Sequence, residues 1–218
     1  MTNIVLLGPP GSGKGTQAAQ LSKKLAIPSL STGDALRKEV ADKTKIGLEA
    51  KSFMESGQLV PDEVVLNIVK NRINQEDCKK GFILDGFPRN SSQAESLATA
   101  LQEIDKKIDL VFNFEIGDDE VVKRISGRYF CKNCGAIYNK FFKKPEVEGV
   151  CDVCQSSDFD QRKDDNEATV RNRLQSYHQD TAKLIEFYEK KDLLFSFNAV
   201  EYSSLILQKL IDKVENIN

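Results

Sequence analysis

The chain has 218 residues, long enough for one large domain, or one core with insertions, around a substantial hydrophobic interior. Its 31 Lys and Arg nearly balance 33 Asp and Glu, so the net field favours neither nucleic acid nor an anionic membrane. No apolar run reaches the roughly 18 residues that cross a bilayer, and the N-terminus lacks the basic region of a signal peptide; a cytoplasmic protein with reduced thiols is expected, in which five cysteines suggest metal before disulfides.

Asn3-Ile-Val-Leu-Leu7 reads as a strand buried on both faces. Gly8-Pro-Pro-Gly-Ser-Gly-Lys-Gly-Thr16 follows, then a helix over 17–25 with Ala18, Leu21 and Leu25 on one face. Strand, glycine turn and helix form the context of a phosphate-binding loop: glycines let backbone N–H groups curl inward, and the helix N-terminus adds partial positive charge. Lys14 supplies a full charge for the β- and γ-phosphates. One position departs from the general pattern, because Gly15 stands where a hydroxyl residue is usual and Thr16 comes one later.

Ile27–Ser31 is expected to form a second strand, followed by a helix capped by Asp34. From there to Val60 the pattern predicts two short amphipathic helices, broken near Lys43-Thr44 and closed by Gly57 and Pro61. A helix over 62–73, a buried strand Gly81–Asp85 and a helix from about Ser91 to Ile104 follow. Asp109–Phe114 is a further strand and Asp118–Ser126 a short helix. From Gly127 to Lys163 the periodicity is lost among four cysteines and scattered aromatics. Val170, Leu174, Tyr177, Thr181, Leu184 and Tyr188 then recur at steps of four and three, predicting one long helix. Leu193–Phe197 is the last strand, and Ser203/Ser204 cap a closing helix with Leu207, Leu210 and Val214 inward. The alternation implies an α/β fold, a three-layer parallel sheet of about five strands.

Two further features carry chemistry. Asp85 ends a buried strand, where phosphate-loop enzymes face a bound Mg²⁺ directly or through water; helix capping is the alternative. Cys131-x2-Cys134, sixteen residues and Cys151-x2-Cys154 have the spacing of a closed, structural Zn²⁺ site. Acidic residues between Asp158 and Asp165 argue against a nucleic-acid-binding ribbon. Cys78 is expected as an inert surface or helix-end thiol. His178 has no acid partner at helical spacing beyond Asp180 and reads as structural.

The phosphate loop, Ser31-Thr-Gly-Asp-Ala-Leu-Arg37, Leu59-Val-Pro61, Asp85-Gly-Phe-Pro-Arg89 with Gln93, Arg124-Ile-Ser-Gly-Arg128, and Arg162-Lys-Asp-Asp165 with Arg173 occur in the order seen in adenylate kinases. The chain resembles that family over essentially its whole length, in the long form whose lid spans about 38 residues, and the Gly15-Thr16 departure is part of that family's loop. The resemblance implies a core over 1–30, 61–126 and 165–218, a helical nucleoside-monophosphate insertion over 31–60, and a small zinc-ribbon-like lid over 127–164. It further implies that Gly11, Ser12, Gly13, Lys14, Gly15 and Thr16 hold the ATP phosphates. Thr32, Gln93 and the backbone of Gln58, Leu59 and Val60 would face the AMP adenine, and Gly86, Phe87 and Pro88 would complete that site. Arg37 and Arg89 would grip the AMP phosphate, while Arg124, Arg128, Arg162 and Arg173 close over the phosphate chain. Ile137, Tyr138 and the backbone near Val200 would flank the ATP adenine. Ala199 stands where glycine is common and Asn139 where histidine often follows the tyrosine.

Multiple arginines suit the reaction, since two polyanions must be aligned and the migrating phosphoryl group stabilised. The implied activity is ATP + AMP ⇌ 2 ADP with Mg²⁺, by a cytoplasmic monomer with a structural zinc and no nucleic-acid or membrane partner. A guanylate or pyrimidine monophosphate kinase is the near alternative; a phosphate-loop switch or zinc-ribbon protein is the alternative from another class.

Overall fold

The computed structural model describes residues 2–217, so Met1 and Asn218, the ends of the expected core, lie outside the described residues. In chain order the elements are β1 (Thr2–Leu7), α1 (Lys14–Leu25), β2 (Ser29–Ser31), α2 (Thr32–Ala41), α3 (Lys45–Ser56), α4 (Asp62–Ile73), β3 (Gly81–Asp85) and α5 (Ser91–Gln102). They continue with β4 (Leu110–Glu115), α6 (Asp118–Ser126), β5 (Arg128–Cys131), β6 (Ile137–Asn139), β7 (Phe159–Asp160), α7 (Glu167–Ser176), α8 (Lys183–Glu189), β8 (Leu194–Asn198) and α9 (Ser203–Glu215).

Five parallel strands form the main sheet in the order β2-β3-β1-β4-β8, and β6-β5-β7 make a small antiparallel sheet. All six residues of β1 are buried, as a central strand covered on both faces requires. Ile4, Leu6, Phe112 and Phe114 pack beneath α1 and α9 on one face. Val5, Leu7, Leu84 and Val111 pack on the other, with α4, α5 and α8. This is the three-layer α/β architecture. Parallel pairing brings the C-terminal ends of β1, β2 and β3 together, with Leu6 and Ser31 both in register with Asp85. In open α/β sheets that edge, near the reversal of strand order, is where ligands bind.

Several expectations change in detail. The cap of α2 is Ser31, whose Oγ accepts the Asp34 N–H at 3.2 Å; Asp34 is inside the helix with its carboxylate left for other work. Ser203 and Ser204 are the first residues of α9 and make no side-chain cap. Instead the Ser203 Oγ and carbonyl each accept from Gln17 Nε2 at 2.9 Å, tying α9 to α1. The long helix is interrupted by a π-helical turn at Tyr177–Thr181. His178, on that turn, does meet an acid: its Nε2 lies 3.0 Å from Asp118 at the start of α6. Cys78 ends a short 3₁₀ turn but is fully buried, not at the surface.

Candidate active site

Gly8 to Gly13 carry the chain from the end of β1 into α1, and the local backbone requires glycine. At Gly8, with φ of 136°, a Cβ would stand 2.6 Å from the Phe114 carbonyl oxygen. Gly13 enters α1 with φ of 94°, left-handed. Lys14 folds back over this loop, its Nζ donating to the carbonyls of Gly8 at 2.7 Å and Pro9 at 2.8 Å. Burial of the ammonium group pulls its pKa down to about 8; Asp85 works against that, and Arg89, Arg173 and Arg128 add to it. Lys14 therefore sits in a field short of negative charge. The Gly15 departure also has a local cause, because a Cβ there would lie 3.2 Å from Asp85 Oδ2. Burial raises the pKa of Asp85, with Lys14 and Arg89 opposing it. Among the described residues no hydrogen bond or salt bridge ends on its carboxylate.

Beside the loop a pocket opens between α2, α3 and the turn after β3. Thr32, Leu36, Arg37, Met54, Gln58, Leu59, Val60, Val65, Gly86, Arg89, Gln93, Asp164 and Arg173 line it. Thr32 Oγ1 donates to Gly86 O at 2.9 Å. Gln93 is held at both ends, its Oε1 accepting the Arg89 N–H and its Nε2 donating to Asp62 Oδ1, both at 2.7 Å. The Phe87 side chain is fully buried in the main core, and Pro88 after it is buried behind a cis peptide bond.

Five of the six expected arginines, and a chain of carboxylates the sequence reading had not paired with them, surround the cleft. Arg128 makes a bidentate pair with buried Asp165 at 2.7 and 2.5 Å. Burial opposes its charge, but this pairing outweighs it and raises the pKa. Arg173 donates to Asp164 at 3.0 Å, yet burial brings it down to about 10. Asp34 bonds Arg37 at 2.5 Å and Arg162 at 3.1 Å, joining α2 to the segment behind the small sheet. Arg89 directs its Nε to Gly86 O at 2.8 Å, and burial lowers its pKa. These carboxylates are the anionic partners of the cleft's cations. The signal for them was present in Arg162-Lys-Asp-Asp165, but partner choice is tertiary.

The sixth, Arg124, lies apart. It bonds Glu120 Oε1 and the Ala199 carbonyl, each at 3.1 Å, with its guanidinium 5.9 Å from the Phe142 ring centroid. Asn139 joins this corner by donating to Arg124 O at 2.7 Å. Val200 and Ile137 are exposed nearby in chain. Tyr138 is not: its ring is buried in the small sheet, stacked 5.8 Å from Tyr129, with its hydroxyl 3.4 Å from Cys151 Sγ. Of Tyr138, only the backbone is left to face outward with Ile137.

Cys131, Cys134, Cys151 and Cys154 place all four Sγ atoms within 4.8 Å of one another. Sulfurs 3.5 Å apart are too distant for a disulfide and close to the roughly 3.8 Å edge of a tetrahedron with 2.3 Å metal–sulfur bonds. The two knuckles are built alike. Cys131 and Cys151 each accept an N–H from the residue four on, Gly135 or Gln155, both of them left-handed. Burial alone would raise Cys151, but the Tyr138 hydroxyl and the backbone N–H groups of Cys154 and Val153 bring it down to about 6. The set fits a thiophilic metal ion.

Comparison with known proteins places this arrangement. A family model described as adenylate kinase matches residues 6–193. The chain is 52% identical over 191 residues to an adenylate kinase of Caldicellulosiruptor bescii, covering 88% of each chain. It is 51% identical to one of Archaeoglobus fulgidus, over 91% of each. With one of Staphylococcus aureus it shares 44% over 99% of this chain and all of the relative.

Proposed function

The chain belongs to the adenylate kinase family, and from that premise we propose how its residues divide the work. The reaction is transfer of the terminal phosphoryl group of ATP to AMP, giving two ADP and so balancing the adenine nucleotide pool. Residues 11–16 take the ATP phosphates, with Lys14 as the charge that leaves its carbonyl partners for the β- and γ-oxygens. The pocket between α2, α3 and the turn after β3 takes AMP. Arg37 and Arg89 hold its phosphate, and Thr32, Gln58, Leu59, Val60 and Gln93 face its base, with Gly86 at the pocket wall.

The AMP phosphate oxygen attacks the γ-phosphorus in line, and ADP leaves toward Lys14. Arg89, Arg128, Arg162 and Arg173 stabilise the charge on the transferring group, and Arg124 closes the adenine side with Ile137 and Val200. Mg²⁺ accompanying ATP neutralises phosphate charge when bound, and Asp85, with its carboxylate unpartnered, is the residue to hold it, through water. The four cysteines hold one structural zinc. Residues 31–60 and 127–164 move as covers over a core of 1–30, 61–126 and 165–218, excluding water as the acceptor. Among the described residues no helix is long and apolar enough to cross a membrane. The working form is a cytoplasmic monomer that needs no nucleic acid or membrane.

The observation that carries this division is geometric: Lys14 folds over the glycine turn at the end of β1, and Arg37, Arg89 and Arg173 line a pocket that includes the turn after β3, the strand paired with β1. A coupled assay with ATP and each nucleoside monophosphate tests it. AMP should be the strongly preferred acceptor, because polar groups built for one base are left unpaired by another. Equal turnover of UMP or CMP would overturn the assignment of Thr32 and Gln93.

A further inference from the structure

Between α7 and α8 the helix widens for one turn, closed by the Ala182 N–H donating to Tyr177 O, five residues back, at 2.8 Å. Such a turn accommodates one extra residue and recurs at functional sites. A threonine in a regular helix tends to bond its own carbonyl four residues back. Thr181 instead sends its Oγ1 out of the helix to the carbonyl oxygen of Arg89, at 2.7 Å, from a position only 8% exposed.

Arg89 is otherwise fixed by its sequence neighbours, the N–H by Gln93 and the guanidinium Nε by the Gly86 carbonyl. Among the described residues the Thr181 bond is the one hydrogen bond to Arg89 that arrives from across the fold, and it acts on the peptide leaving Arg89. Both sides of the wide turn are anchored. Val170 and Leu174 of α7 pack with Val121 and Ile125 of α6, while Leu184 and Tyr188 of α8 lie in the main core. The hydroxyl is therefore delivered from a stiff frame.

We propose that Thr181, presented by the π turn, is a positioning residue for the AMP phosphate, acting through the Arg89 backbone; this rests on the assignment of Arg89 to that phosphate. Remove the hydroxyl and a part-buried carbonyl loses its partner, so the peptide turns toward another donor. The guanidinium swings with it, and a small misplacement of a positioning group is costly in a reaction that depends on alignment.

The test uses the full chain with Thr181→Val, Thr181→Ser and Arg89→Ala, reading kcat, the KM for AMP, the KM for ATP and the melting temperature. Thr181→Val should raise the KM for AMP and lower kcat, together by roughly tenfold in kcat/KM, with the KM for ATP unchanged. Thr181→Ser, which restores a hydroxyl, should return AMP kinetics to within about twofold of the parent. Should Thr181→Val fail to fold, Thr181→Ala provides the same comparison against Thr181→Ser. Normal AMP kinetics in Thr181→Val, or parallel rises in both KM values with a lower melting temperature, would overturn the positioning role. If Arg89→Ala leaves AMP kinetics intact, the AMP-site assignment itself fails and the proposal falls with it.

Discussion

The helical insertion over 31–60 and the cysteine-bearing segment over 127–164 flank one cleft but are held by different means. Leu36, Ala50 and Val60 of the first belong to the same buried cluster as Val5, Leu84 and Phe87 beneath the main sheet. Its two helices cross so closely that a Cβ on Gly47 would overlap the Glu39 carbonyl at 2.0 Å. The second has a cluster of its own: Cys131, Tyr138 and Cys151, flanked by Tyr129, Ala136, Cys154 and Phe159. Three aromatic rings at 5.5–5.8 Å and a three-stranded sheet cannot supply a core by area alone. The first thus draws on the body of the protein for its stability, while the second has only this small cluster and the metal proposed for its four cysteines.

The largest expected effect breaks that second dependence. Structural zinc contributes on the order of 10 kcal/mol of apparent binding free energy in small peptides at neutral pH, and here part of it must fold the segment. Cys151→Ser, or chelation, should lower the melting temperature and leave substantial activity at low temperature, since no cysteine touches the proposed transfer site. About one zinc per parent chain is expected by elemental analysis. Complete loss of activity with an intact melting curve would make the metal catalytic and remove the contrast between the covers.

Next is the chemistry, whose phosphate loop lies in the body although Arg37, Arg128 and Arg162 are proposed to reach it from the two insertions. Lys14→Met should cost roughly 10² or more in kcat, the scale for one electrostatic contact to a developing charge. Its melting temperature should hold or rise, because a charge whose burial is opposed has been removed. Near-normal kcat would mean that the phosphate loop is not the site of transfer.

A smaller effect tests the claim that the helical cover shares the main core. Leu36→Ala removes a side chain 5% exposed that also lines the pocket proposed for AMP. A loss of about 2 kcal/mol is expected, near the low end for such truncations, because the cleft can collapse or fill. It should appear in the global unfolding transition. Phe159→Ala, in the cysteine-bearing segment, should loosen that segment while leaving the main transition in place. Two separate transitions in the Leu36→Ala protein would show that the helical cover folds on its own.

These contrasts also explain what the sequence could disclose. Elements whose burial follows a local period were legible: Gly81–Asp85, Asp62–Ile73 and Asp118–Ser126 fall where the pattern places them. The four cysteines announced themselves by spacing, because metal ligation is written in short intervals. What was hidden depends on distant partners. Asp34 reads as a cap until Arg37 and Arg162 converge on it, and nothing in the sequence pattern shows that the Tyr138 ring packs into the cysteine cluster. The π turn was concealed for another reason: steps of four and three through Thr181 persist across it, so one added residue leaves no mark on the period.

The smallest effect is one of pH, and it should move ATP binding by the body and metal retention by the cysteine-bearing segment in opposite directions. Lys14 keeps its proton up to about 10.5 when unfolded but only to about 8 in the folded, nucleotide-free chain, where burial is the main cause. Between those values the unfolded chain binds more protons, so this group's contribution to stability rises with pH across the window; below about 8 the folded state carries the full cost of the buried charge. Bound phosphate reverses the imbalance by supplying the missing negative charge, so ATP binding should take up a proton near and above pH 8 and weaken as pH rises further. Metal retention goes the other way, since thiol ligands must lose protons to bind. Calorimetry of ATP binding between about pH 7 and 9, in buffers of different ionisation enthalpy, reads the proton directly. A modest fall in affinity, less than about tenfold, is expected alongside unchanged or firmer zinc retention over the same range. Binding that is flat in pH and takes up no proton would mean that Lys14 is already charged in the empty loop, and that its carbonyl partners, rather than the nucleotide, meet its need for negative charge.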